Sequence, residues 1–213
     1  ARFAEAYFDP QYREIALLLR GRHLIAEDSF PPYMADLQRF AVNIEVPATI
    51  KAVVNGEFPP FVGAKDLILN LIGTLTAQGA NYKVLEFHGE TIRRMSTSGR
   101  IAVCNMSVEA GATSGIVPGD DETVRYLREE SGVTEAIPCV APDADAHYVR
   151  TVEVDVSALE PQIACPHMVD NVKPVSAVAG TRVQQIVIGS CTNGRLDDLA
   201  VAADILRGKK VAA

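Results

Sequence analysis

The chain has 213 residues, 48% of them hydrophobic, with a net charge of −7 at pH 7 and a pI near 5.1. This composition can bury a core, and its acidity argues against a nucleic-acid surface, so an anionic substrate must be held by local positive charge. No apolar run reaches bilayer length and the start lacks signal-peptide shape, so we expect a cytoplasmic protein without membrane contact.

The predicted elements begin with an N-terminal segment, residues 1–45, that stands apart from the rest. Residues 12–24 have helical spacing, and Pro31-Pro32 interrupts the pattern before residues 34–40. His23 is interpreted as a surface or cap residue.

From Val46 onward, strand patterns alternate with helix patterns. The predicted strands cover residues 49–54, 82–87, 148–156 and 184–188, and the predicted helices cover residues 65–75, 100–112, 120–130 and 197–206. Asn55-Gly56 predicts a turn. Strands that alternate with helices indicate a layered α/β fold with largely parallel strands.

A cysteine follows the last predicted strand. The run Ile186 to Ile188 ends in GSCTNGR (residues 189–195), and a helix pattern follows. On a strand-to-helix turn the thiol of Cys191 lies near the positive end of a helix, which favours metal ligation or nucleophilic chemistry. The alternative is a small buried cysteine in a turn.

Asn105 and Glu109 form a second constellation, four residues apart on a predicted helix. Their side chains therefore share one face and can converge on one ligand. The alternative is a solvated polar pair, but the apolar and small residues around them indicate a mostly buried helix, on which polar groups need partners.

Several further motifs occur in a fixed order: VPATIK (46–51), GAKDLIL (63–69), EFHGETI (86–92), CNMSVEAGA (104–112) and DETVRYL (121–127). Together with GSCTNGR, they resemble the aconitase superfamily, and within it the large subunits of 3-isopropylmalate dehydratases. The resemblance covers residues 46–213 and implies layered α/β/α domains with largely parallel sheets. It leaves residues 1–45 unaligned.

The resemblance implies a hydro-lyase that interconverts 2- and 3-isopropylmalate in leucine biosynthesis. A [4Fe–4S] cluster held by three cysteines leaves one iron open to polarise the substrate hydroxyl. The implied roles are cluster ligation by Cys191, contact with the substrate hydroxyl by Asn105, and transfer of the departing water's proton by Glu109. The other expected substrate-binding residues are Ser190, Asn193, Arg195 and His88. The implied partners are a 2-hydroxy di- or tricarboxylate and a small, swivelling dehydratase subunit.

The sequence departs from the family pattern in two places. The His-Thr and Asp-Ser-His-Thr elements expected in the first segment are absent, and no Cys-x-x-Cys follows Cys191. Cys104, Cys139 and Cys165 do not match ligand positions and are interpreted as structural thiols, in a reducing compartment. We therefore expect this chain alone to lack the cluster and to be inactive.

The predicted organisation has three parts: residues 1–45, an α/β domain at 46–145 that carries Asn105 and Glu109, and residues 146–213, which connect to and begin the cluster-binding domain. Three alternatives stay open. One is a homoaconitase or aconitase-type hydratase, another is a catalytically incompetent α/β domain without a cluster, and the third is an enzyme that uses Cys191 as nucleophile with His88 or His167.

Overall fold

A computed structural model describes residues 46–210, and a four-stranded parallel sheet organises them. The strands are β1 (Ala48–Asn55), β2 (Lys83–His88), β3 (Ser114–Ile116) and β4 (Arg150–Asp155), in the order β3-β2-β1-β4. All three strand pairs are parallel, as the sequence predicted. The strand order reverses at β1, and in open α/β sheets ligands bind at the carboxyl ends of strands beside such a reversal.

Five helices accompany the described strands: α1 (Ala64–Leu75), α2 (Glu90–Arg94), α3 (Thr97–Met106), α4 (Asp121–Glu129) and α5 (Leu196–Leu206). A small antiparallel pair is formed by β5 (Gln162–Ala164) and β6 (Val172–Pro174). Short 3₁₀ turns cover Ser107–Ala110, Val156–Ala158 and Val175–Val178. Within residues 46–210 no helix combines the length and apolarity that crossing a bilayer requires.

The core lies between one face of the sheet and helices α1 and α3. Alternate residues of β1, namely Ile50, Ala52 and Val54, are buried, as the two-residue period of a strand dictates. The buried side of α1 consists of apolar residues: Leu67, Ile68, Leu69, Leu71, Ile72 and Leu75. Each fully buried aliphatic side chain of this kind contributes about 1.5–3 kcal/mol, so this contact dominates the stability of the layer.

A buried ion pair joins α3 to the start of α4. The guanidinium of Arg100, whose residue is 4% exposed, donates to both carboxylate oxygens of Asp120, with Nη2 2.9 Å from Oδ2. It also donates to the backbone carbonyls of Met95, at 3.0 Å, and Arg93, at 2.8 Å. Asp120 in turn caps α4 by accepting from its first free N–H groups. One side chain therefore fixes the corner before α3 and the beginning of α4.

Two predicted elements differ from the structure. Residues 184–188 form no strand, because among residues 46–210 no strand lies alongside to accept their hydrogen bonds; Ile186 and Val187 are 77% and 84% exposed. The helix predicted at 100–112 begins at Thr97 and ends at Met106, where a 3₁₀ turn closed by Gly111 (φ +84°) replaces it.

The other predicted helices and strands are confirmed. Most of their ends differ from the predicted ends by one or two residues. The predicted domain boundary at 145/146 stays a prediction, but β4 pairs with β1, so the first sheet extends past it. The predictions for residues 1–45, including the helix at 12–24 and His23, lie outside the described residues.

The ion pair makes stability depend on pH in a defined direction. The Arg100 guanidinium holds the pKa of Asp120 below its usual value, so the pair stabilises the fold fully above about pH 4 and loses this effect as the pH falls through the lowered pKa. We expect Asp120→Asn to lower the free energy of unfolding by about 1–3 kcal/mol at pH 7. The difference from the original chain should shrink steadily below pH 4.

Urea denaturation followed by circular dichroism at several pH values measures both quantities. Asp143→Asn, a change in an exposed loop, is the matched control and should leave stability nearly unchanged. A deficit for Asp120→Asn that stays constant from pH 7 to pH 2.5 would contradict this assignment.

Candidate functional site

Asn105 and Cys191, which are distant in sequence, line one open cavity of about 750 Å³. One wall is a stripe along α3 and the 3₁₀ turn after it: Thr97, Ile101, Cys104, Asn105 and Val108. Spacings of three and four residues place these side chains on one face of a helix. Residues 113–117, which include β3, form the opposite wall, and Arg195 closes one end.

The charges around this cavity suit an anionic ligand. None of the lining residues in the described part of the chain is Asp or Glu, although the whole chain carries a net charge of −7. Arg100 lines the cavity with its charge already paired to Asp120. Arg195 adds a second guanidinium, whose Nε is buried without a hydrogen-bond acceptor among the described residues. A buried donor of this kind needs a partner, and a carboxylate is the strongest acceptor for it.

A second cavity, of about 760 Å³, lies beside the carboxyl end of β1 and is bordered by Asn193 and also by Arg195. Its acidic lining residues, Glu57, Asp66, Asp197, Asp198 and Asp204, outnumber its basic ones, Lys65, Arg94 and Arg195. This excess of negative charge makes it the less suitable of the two for an anion. Arg195 therefore lies between a cavity without carboxylates and an acidic one.

The cysteine turn has an unusual backbone. Gly189 has φ +152° and Ser190 has φ +84°, a left-handed conformation that non-glycine residues rarely adopt. A Cβ on Gly194 would lie 2.8 Å from the carbonyl oxygen of Ser190, so the turn is tight enough to require glycine there. Cys191 is exposed on this turn, and α5 begins only after Arg195, its N-cap. The helix of the predicted strand-to-helix turn is present and the strand is not.

Asn105 and Glu109 are both exposed, contrary to the expectation of a mostly buried helix. Asn105 lies near the end of α3, whereas Glu109 lies in the 3₁₀ turn Ser107–Ala110. Because the 3₁₀ turn is wound more tightly than an α-helix, the two side chains are not offset by one regular α-helical step. Asn105 lines the cavity, whereas Glu109 is not among the described residues that line it, although it follows Val108 in the chain.

His88 belongs to a different cluster. Its Nε2 lies 2.7 Å from Oε1 of Glu86, to which the hydroxyl of Tyr148 donates at 3.1 Å. Lys51 places its ammonium 4.8 Å from the centre of the Tyr148 ring. Burial raises the pKa of Tyr148, and the bond to Glu86 adds to this effect. His88 lines neither cavity, so its predicted role in substrate binding stays a prediction that this geometry does not support.

The described residues do not by themselves fit a three-cysteine cluster. Among residues 46–210, no three His, Cys, Asp or Glu side chains converge closely enough to hold a metal ion. Cys104 lines the cavity with Cys191, but burial raises the pKa of the Cys104 thiol to about 11, which disfavours the thiolate that ligates metals. Ser190, a predicted substrate-binding residue, lines neither cavity and lies 3.2 Å from Thr192 between their hydroxyl oxygens.

Sequence reasoning missed the wall formed by residues 113–117. A Cβ on Gly115 would lie 2.7 Å from the Cα and the carbonyl oxygen of Cys104, so only glycine allows β3 to approach α3 this closely. The strand has three residues, too few for a periodic pattern. Gly115 between Ser114 and Ile116 was the one available signal for a close backbone approach.

Comparison with known proteins gives a consistent result. Residues 34–182 match the profile of the aconitase family (aconitate hydratase). The 3-isopropylmalate dehydratase large subunit 1 of Methanopyrus kandleri is 48% identical over 78% of this chain and 39% of its own length. The probable methanogen homoaconitase large subunit of Methanosarcina mazei is 49% identical over 78% of this chain and 42% of its own length.

A third relative matches more of the chain. The 3-isopropylmalate dehydratase large subunit of Halothermothrix orenii is 40% identical over 93% of this chain and 50% of its own length. The chain thus spans between two fifths and one half of the length of these relatives.

The cysteines should differ in reactivity. At pH 8 we expect iodoacetamide to alkylate Cys104 at least tenfold more slowly than Cys139 or Cys191, because Cys104 is largely buried and its thiol has a pKa of about 11, whereas the other two are exposed. Mass spectrometry of the digested protein gives the rate at each site. The same chain in guanidinium chloride is the control, in which the rates should converge. Similar rates in the folded chain would show that Cys104 is accessible and would contradict the packing of α3 against β3.

Proposed function

Because the chain belongs to the aconitase family, we propose that it is part of the large subunit of a hydro-lyase that interconverts 2- and 3-isopropylmalate in leucine biosynthesis. The observation that carries this proposal is the shared cavity. It brings Asn105 of the CNMSVEAGA motif and Cys191 of the GSCTNGR motif to one space without carboxylates, beside a guanidinium. A 2-hydroxy dicarboxylate is an anion with a hydroxyl group, which such a space can receive.

The residues of this chain have distinct proposed tasks. The Asn105 amide donates a hydrogen bond to the substrate hydroxyl, and the Arg195 guanidinium binds a substrate carboxylate. Glu109, which the family resemblance assigns to this step, gives the proton that leaves with hydroxide as water and takes it back during rehydration. Cys104, as a neutral thiol, contributes only surface to the cavity. Ser190 and Asn193 act through the cysteine turn, where they border Cys191.

Cys191 is the proposed first ligand of a [4Fe–4S] cluster, as the family resemblance implies. Since residues 46–210 hold no group of three metal ligands, the other ligands must come from another part of a complete enzyme. The names of the relatives as large subunits support a second proposed partner, a small subunit that completes the site. We propose a cytoplasmic enzyme, as expected for this biosynthetic chemistry.

Two alternatives have observations in their favour. A homoaconitase is supported by the Methanosarcina mazei relative, which is as similar to this chain as the dehydratase subunits are. A catalytically incompetent α/β domain is the other alternative, because the sequence departs from the family pattern in its cysteine and histidine motifs. A cysteine-nucleophile enzyme has less support, because neither His88 nor His167 lines the cavity with Cys191, and His88 is bonded to Glu86.

Replacement of one carboxylate tests the proposal. In the active enzyme that contains this chain, we expect Glu109→Gln to lower kcat for 2-isopropylmalate by at least about a hundredfold, since a positioned acid or base contributes that much. Iron and sulfide content and the melting temperature should not change. Conversion is followed by NMR of substrate and product, with homoaconitate assayed in parallel.

Glu135→Gln, a change of an exposed loop carboxylate, is the control and should keep full turnover. Full turnover of Glu109→Gln would remove Glu109 from the site. Turnover of homoaconitate but not of isopropylmalate by the original enzyme would favour the homoaconitase alternative.

A further inference from the structure

Two large apolar side chains are exposed inside the carboxylate-free cavity. Val108 is 56% exposed and Ile116 is 43% exposed, and both line the cavity that contains Asn105. Val108 lies one turn after Asn105, and Ile116 lies on β3 in the opposite wall. Exposed apolar side chains that line one cavity mark a place where an apolar group binds.

The positive charge in the α3 wall is already paired, and the exposed Glu109 follows Val108 in the chain. Arg100, the nearer guanidinium in the α3 wall, is held by both oxygens of Asp120 and by two backbone carbonyls. Cys104, beside Asn105, keeps a neutral thiol because burial raises its pKa to about 11. Ile101 adds a further apolar side chain from α3. Among the described lining residues, the other cation is Arg195, whose Nε has no acceptor. It belongs to the same stretch of the chain as Cys191.

We propose that Val108 and Ile116 determine substrate specificity by receiving the alkyl branch of the 2-hydroxy acid. This inference rests on the proposed function. It places the recognition of the distinguishing end of the substrate at least partly on this chain.

The apolar surface of Val108 and Ile116 disfavours a substrate whose distinguishing end is a further carboxylate. A carboxylate in contact with Val108 and Ile116 would exchange water for apolar surface while the Arg100 guanidinium stays paired with Asp120, and this raises its free energy. An isopropyl group instead gains stabilisation from apolar contact, and one additional methylene in such a site changes selectivity by roughly tenfold or more. The wall therefore favours isopropylmalate over homoaconitate as the substrate.

Substitutions that add polarity test this assignment. In the active enzyme, we compare the hydration of isopropylmaleate with that of methylmaleate, whose branch is a single methyl group. We expect the double variant Val108→Thr, Ile116→Thr to lower the ratio of the two kcat/KM values by roughly tenfold or more, mainly through a higher KM for isopropylmaleate. The kcat/KM for methylmaleate should fall less, because its single methyl group makes less contact with the two side chains. Both positions are exposed, so the fold should be retained.

A larger side chain provides the second variant. Val108→Ile should reduce the space for the branch and should also shift preference toward methylmaleate. Val140→Thr, a change at an exposed valine in a loop outside both cavities, is the matched control and should leave the ratio unchanged. Saturation-transfer NMR gives a readout that is independent of turnover. Saturation transfer from the protein to the isopropyl methyl protons of bound isopropylmalate should be weaker in the double threonine variant than in the original enzyme.

The outcomes separate this inference from the proposed function. An original enzyme that hydrates neither compound would overturn the proposed function and the inference with it. Activity with an unchanged ratio in both variants would overturn the inference and leave the proposed function in place. Loss of association with a small subunit, seen by size-exclusion chromatography of the variants, would also overturn it, because it would show that Val108 and Ile116 face a protein partner.

Discussion

The pairing of Arg100 with Asp120 is the constraint on which the candidate site depends. Arg100 is buried on α3, bonds the corner before that helix through two carbonyls, and holds the residue that caps α4. The chain between these helices forms the second wall of the cavity, so the pair sets how far this wall lies from Asn105. Loss of this carboxylate would leave the buried guanidinium with only its two carbonyl acceptors and would remove the cap of α4 at the same time.

The sequence was sufficient for the elements with long periodic patterns. The apolar face of α1 and the alternation in β1 specify helix and strand without any tertiary information, and both lie where they were predicted. Residues 184–188 also contain an apolar run but form no strand and are exposed. A strand needs a neighbour to accept its hydrogen bonds, and a pattern of side chains cannot show whether that neighbour is present.

The candidate site was predicted in part for a similar reason. Motifs indicated Asn105 and Cys191 individually, and only the packing of α3 against β3 shows that both line one cavity. Helical spacing predicted that Asn105 and Glu109 share one face of a helix. The helix changes to a 3₁₀ turn after Met106, and this alters the angle between the two side chains. The sequence placed His88 at the end of a strand, a position that suits a functional residue. Its bond to Glu86, which also accepts from Tyr148, could be seen only in the folded structure.

The central claim is that Asn105 and Cys191 face the same cavity. Thiol crosslinking tests it most directly, because it needs neither a cluster nor turnover. In a Cys104→Ser background, Asn105→Cys is treated with a short bis-maleimide, and crosslinked peptides are quantified by mass spectrometry against Thr74→Cys, an exposed position at the end of α1 outside both cavities. The structure predicts that position 105 links to Cys191 in much higher yield than position 74 does. Equal yields would contradict the shared cavity and, with it, the proposed site.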